Sequence, residues 1–327
     1  MSIDRCVGVG VEIGSGKTTV ALIDRHGRVR QRSQAKTLRG RPAMATLEPA
    51  LRAIETQLSC ARMEGLAVCG IGVSVPGALE SSTRRPQQIS LLPSLNDFPL
   101  FELLEKRYRL PVQIHADVDA AVLGEYRFGA GQGAQRLLYL TLNAVIGAAF
   151  IVDGELVSSR QQHVGHVCHL PLSPTGPRCS CGKRGCINTL LSLDAIQKMF
   201  KRALNRGEET SLLQRMLNNE CFSPQLLAEE ARRGDGVALQ VFLEIGRWLS
   251  AAVTRYSTLY EPDVLVLGGG MQHIDPCLIA LQPLEPVGAV SAGATSVLSP
   301  VRERLKVMSS HLGSDVALIG AVTPLFY

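Results

Sequence analysis

The chain lacks several features that would each have pointed to a class of function. Its 327 residues contain no apolar run long enough to span a bilayer, which takes about 18 residues or more. The opening Met1-Ser2-Ile3-Asp4-Arg5-Cys6-Val7 has no apolar core of a secretory signal. No basic tail or arginine block stands out, and the formal charge is a modest +5. Nine cysteines are an odd number, and the tight grouping of three of them suits a reducing compartment better than a disulfide framework. A cytoplasmic protein without a membrane partner is expected. With 46% hydrophobic residues, the length suffices for two domains, each with its own core.

What is present is concentrated between residues 166 and 186. His166 is followed by Cys179, Cys181 and Cys186 in Cys-Ser-Cys-Gly-Lys-Arg-Gly-Cys, with Gly182 and Gly185 to let the backbone fold around one point. Three thiolates and an imidazole are a donor set for tetrahedral zinc, and four protein ligands leave no open position for a catalytic water. A structural Zn2+ knuckle is expected. Cys6, Cys60, Cys69, Cys168, Cys221 and Cys277 read as small core residues or free thiols.

Apolar periodicity organises the rest. Val7 to Ile13 and Thr18 to Ile23 read as strands joined by Gly14-Ser15-Gly16, a hairpin. Gly16-Lys17-Thr18 looks like the end of a nucleotide P-loop, but Val11 stands where that loop needs its first glycine and no helix pattern follows. Thr46 to Arg62 and Phe101 to Tyr108 have helical spacing, Ala67 to Val75 reads as a buried strand ending at Pro76-Gly77, and Pro111 to Ile114 is a strand that delivers Asp117. Asp119 to Tyr126 is a helix, so Asp117 suits a helix cap as well as a catalytic carboxylate. Leu137 to Leu142 and Ala148 to Val152 begin a second strand cluster, and Leu190 to Arg206 and Val237 to Tyr260 are helical. Val264 to Leu267 empties into Gly268-Gly269-Gly270, and glycines at the end of a parallel strand are where ligands bind in α/β folds.

These segments together resemble the ROK family of bacterial sugar kinases and sugar-responsive repressors. The marks are Val164-Gly165-His166 with the cysteine cluster, Gly124 to Gly131, Pro76-Gly77, and Glu261-Pro262-Asp263-Val264 running into the three glycines. The resemblance implies an α/β, two-domain actin-like and hexokinase-like (ribonuclease H-like) fold with a zinc knuckle. Residues 1–117 with a returning helix at 311–327 would form one domain and 118–310 the other. A sugar and ATP with Mg2+ would lie in a cleft between them. Asp117 would be the base taking the proton from a sugar 6-hydroxyl; Glu12, Gly14, Lys17, Gly268, Gly269 and Gly270 would hold nucleotide and magnesium; Pro76, Gly77, Asp117, His163, His166 and Asn188 would hold sugar. A homodimer is expected.

The departures from the family pattern are informative. The asparagine before the catalytic aspartate is Ala116, which cannot bond sugar hydroxyls. The first phosphate turn, Asp-x-Gly-Gly-Thr-Lys in the family, is Glu12 to Lys17, and the second, Gly-Thr-Gly-x-Gly, is Asn143-Ala144-Val145-Ile146-Gly147. His163 and Asn188 stand where two sugar-contacting glutamates are expected. Changes at so many positions around one reaction suggest a sugar or sugar-phosphate sensor of the transcriptional-regulator type, like the N-acetylglucosamine-repressor branch, acting through a protein partner. The chain starts directly with the first strand, so no helix-turn-helix and no direct DNA binding are expected. The alternative is a divergent ATP-dependent hexose or N-acyl-hexosamine kinase that keeps Asp117, Lys17 and Glu12.

Overall fold

A computed structural model describes residues 5–157, 167–218, 220–270 and 305–327. The first sheet holds β1 (Cys6–Ile13), β2 (Lys17–Asp24), β3 (Val29–Lys36), β4 (Ala67–Val75) and β7 (Val112–Ala116) in the order β3-β2-β1-β4-β7. β1 and β2 form the antiparallel hairpin expected from the glycine turn, whereas β1 with β4 and β4 with β7 are parallel. α1 (Ala43–Met63) and α2 (Leu100–Tyr108) supply those parallel crossovers, and a small hairpin of β5 (Ala78–Leu79) and β6 (Pro86–Gln87) follows β4.

Strand alternation explains the two faces. Val7, Val9, Val11 and Ile13 join Ile71, Val73 and Val75 in one core with Leu47, Leu51 and Ile54 of α1. Each such side chain, fully buried, contributes on the order of 1.5–3 kcal/mol. The opposite face carries Gly8, Gly10, Gly70 and Gly72, against which the last helix, α9 (Val316–Val322), lies. A Cβ on Gly72 would stand 2.1 Å from the Ala321 carbonyl oxygen, so the missing side chain is what lets the helix backbone touch the sheet.

α3 (Asp117–Phe128) follows β7 and packs on α9 through small residues. Residues 5–133, 149–157 and 311–327 fall in one compact unit, and 134–148, 167–218, 220–270 and 305–310 in the other. The first unit holds α3 with α9, whose backbones Gly124 and Gly320 bring into contact.

The second sheet is β10 (Glu155–Leu156), β9 (Ile146–Val152), β8 (Arg136–Leu142), β11 (Val264–Gly269) and β12 (Lys306–Ser309), in that order. Its β8, β11 and β12 are parallel. The helix expected over 190–206 is two helices, α4 (Ile187–Leu191) and α5 (Leu193–Asn205). Ser192 separates them, since its hydroxyl accepts from the Ala195 N–H and caps α5. α6 (Ser211–Leu217) and α7 (Pro224–Arg232) precede α8 (Gly236–Tyr260). By length and composition alone α8 could cross a membrane, but 56% of its most apolar window is buried inside the protein, as in a core helix.

Candidate functional site

The end of the first sheet gathers carboxylates. Asp117 opens α3, and its Oδ1 accepts the Val118 N–H at 2.8 Å. Its side chain keeps an exposed face while protein surrounds the others, and this loss of bulk water pushes its pKa up to about 6 against the pull of that amide. Burial pushes Asp119 up to about 7, with Asp117 adding to it. Glu12, at the end of β1, is also raised to about 7, first by burial; Lys17 and Arg32 pull it down and Asp117 and Asp315 push it up. Three carboxyls that titrate near neutrality, two of them pushed up by the Asp117 charge, can accept a proton at physiological pH or take up a cation. Lys17 begins β2, and the turn before it is closed by the Gly14 N–H donating to the Lys17 carbonyl at 3.0 Å. Two strands flank that turn, so it is no P-loop. Pro76 and Gly77 follow β4 as a bend, with Gly77 at φ 89°.

Two neighbours of this end were not singled out in the sequence. In register, Glu12 lies beside Ser74 and Ser74 beside His115, so the three share one face of the sheet. Ser74 Oγ and His115 Nε2 are buried without a hydrogen-bond partner. Burial holds His115 neutral, with its pKa lowered to about 4, and the Arg84 charge adds to the effect. Only strand register brings these residues together.

The second unit carries the glycine end of β11. Gly268 and Gly269 are the last residues of that strand rather than part of a turn, and Gly270 follows. Its N–H donates to Asn143 Oδ1 at 2.9 Å. Asn143 opens the turn 143–145 between β8 and β9, and no residue from it to Gly147 in β9 takes a positive φ. Val145 at its tip is 59% exposed. Asn188 points inward to the same turn, its Oδ1 accepting the Ile146 N–H at 3.1 Å. The carbonyl expected to meet a sugar hydroxyl is therefore engaged by the protein backbone.

The three cysteines of the expected cluster lie together, with a histidine beside them. Cys179, Cys181, Cys186 and His169 bring one ligand atom each to within 4.8 Å of one another. Cys181 Sγ lies 3.6 Å from Cys186 Sγ, and Cys179 Sγ lies 3.4 Å from His169 Nδ1. Zn–S bonds of about 2.3 Å in a tetrahedron separate sulfurs by roughly 3.8 Å, so the donors suit zinc. The Lys183 amide holds the Cys181 thiol below its usual pKa, favouring the thiolate a metal requires. Gly185 lies at φ 59°, where a Cβ would stand 1.9 Å from the Ser173 carbonyl oxygen. His163 and His166 lie outside the described residues. Among the described residues His169 is the candidate fourth ligand. The sequence does contain the signal: the family's Gly-Glu-x-Gly-His can be set three residues later, on Gly165-His166-Val167-Cys168-His169.

Comparison with known proteins yields a consistent picture. A ROK family profile matches residues 8–323. The glucokinase of Thermotoga maritima is 26% identical over 316 residues, covering 96% of both chains. The DNA-binding transcriptional repressor Mlc of Escherichia coli is 26% identical over 251 residues, covering 77% of this chain and 59% of the repressor. A crystal structure of a ROK family transcriptional regulator, a homolog of the E. coli MLC protein, superposes with a TM-score of 0.82 at 22% identity. The match covers 99% of this chain and 79% of that one.

Proposed function

We propose, from the premise that the chain belongs to the ROK family, that it binds a sugar or sugar phosphate as a protein of the regulator type whose phosphoryl-transfer site is degenerate. The turn 143–145 and the start of β9 carry this reading. They contain Val145 where a backbone wrapping a phosphate needs glycine, they take no left-handed conformation, and asparagine side chains engage the amides of Ile146 and Gly270. Ala116 supports it, since a methyl group offers no bond to a sugar hydroxyl. Asp117, Pro76, Gly77 and His166 are the residues proposed to remain at the sugar. The cysteine cluster with His169 would hold a structural zinc that shapes its loop and supplies no chemistry to a bound ligand. The protein would act in the cytoplasm as a homodimer, signalling through a protein partner.

A coupled assay with ATP, Mg2+ and a panel of hexoses and N-acyl-hexosamines tests the proposal. No sugar-dependent turnover is expected at ordinary enzyme concentration, and turnover of any sugar at that concentration contradicts it.

One observation favours a second reading. Asp117, raised to about 6, is matched to accept a proton near neutral pH, with Glu12 and Lys17 on the same unit. A kinase built on it would lose turnover on Asp117→Asn substitution while sugar affinity stayed nearly unchanged.

A further inference from the structure

We infer that Asn143 decides which ligand the end of β11 can take, because its side-chain amide occupies the position of an anionic oxygen and closes a phosphate subsite. This rests on the regulator reading above. Three hydrogen bonds fix the residue: Oδ1 accepts from the Gly270 N–H at 2.9 Å, Nδ2 donates to Thr141 Oγ1 at 3.1 Å, and the Asn143 carbonyl accepts from the Leu193 N–H at 3.1 Å. The amide is also packed directly onto the strand end. Gly269 lies at φ 72°, and a Cβ there would stand 2.7 Å from Asn143 Oδ1 and 2.6 Å from Thr141 Oγ1.

Backbone N–H groups beyond a parallel strand, beside a glycine that admits close approach, are donors suited to anionic oxygens. Here the Gly270 donor meets a neutral acceptor supplied by the chain itself, at an ordinary N–H···O length. An incoming phosphate oxygen would have to displace that carboxamide and break its bond to Thr141 as well. The Ile146 donor at the start of β9 is held in the same way by Asn188 Oδ1 at 3.1 Å. Two asparagine side chains thus take up donors that a phosphate would use. Asn143 acts as a specificity-determining residue, excluding phosphate chains from the strand end and making the site selective for uncharged groups.

The test titrates magnesium pyrophosphate and magnesium ADP into the full chain by calorimetry, for the unmodified protein and for Asn143→Gly and Asn143→Asp. The unmodified protein is expected to show no binding in the millimolar range. Asn143→Gly is expected to bind about tenfold or more tightly than the unmodified protein, and Asn143→Asp, which adds a negative charge, not to bind. If Asn143→Gly does not fold, Asn143→Ser carries the same expectation. A glycine or serine variant that folds and binds no more tightly than the unmodified protein overturns the role of Asn143 and leaves the regulator reading intact. Tight binding by the unmodified protein overturns both.

Discussion

Gly320 faces the first turn of α3 so closely that a Cβ there would stand 1.6 Å from the Ala120 carbonyl oxygen. Neither backbone can yield without moving its helix, so Gly320→Ala is expected to destabilise the protein by about 1–3 kcal/mol, read from urea unfolding. Charge at the same end gives a pH signature. Glu12 is raised from 4.5 to about 7 and Asp119 from 3.8 to about 7, so the folded state holds more protons than the unfolded state between these values. Stability therefore falls as pH rises from about 4 to 7. Asp119→Asn removes one of these raised carboxyls. A flatter dependence of the unfolding midpoint on pH over that window is expected, and an unchanged slope contradicts it. Asp117 and Lys17 were legible from the chain because each follows a recognisable strand or turn. Ser74, His115 and Asn143 were not, because their meaning lies in which strand end they meet, and register is set by tertiary packing.

At the scale of elements, the break between α4 and α5 depends on one hydroxyl. Ser192 is nearly buried and caps α5 through the Ala195 N–H at 3.3 Å. Ser192→Ala is expected to cost about 1 kcal/mol in chemical unfolding. Periodicity ran the two helices together because their apolar faces continue across the break, and a mid-pattern serine announces a cap only when the turn is seen. The cysteine loop was the reverse case. Its spacing points directly to three candidate ligands, while the fourth is ambiguous in the sequence because three histidines, His163, His166 and His169, precede Cys179 within a short stretch. Mass spectrometry of the native protein is expected to find one zinc per chain. Cys181→Ser and His169→Ala should lose it; retention of full zinc by His169→Ala contradicts the assignment.

For the molecule as a whole, two sheets are legible from alternating strands and helices. The glycine-mediated contact between α3 and α9 is not, since it depends on tertiary packing rather than on composition. On the proposed function, the chain keeps the aspartate and lysine of a kinase while the amides of Ile146 and Gly270 are engaged internally. Calorimetric titration of glucose, N-acetylglucosamine and their 6-phosphates, each with and without magnesium ATP, tests this most directly. Binding of at least one sugar or sugar phosphate that ATP leaves unchanged, with no product formed, is the predicted result; ATP binding accompanied by sugar phosphorylation would contradict it.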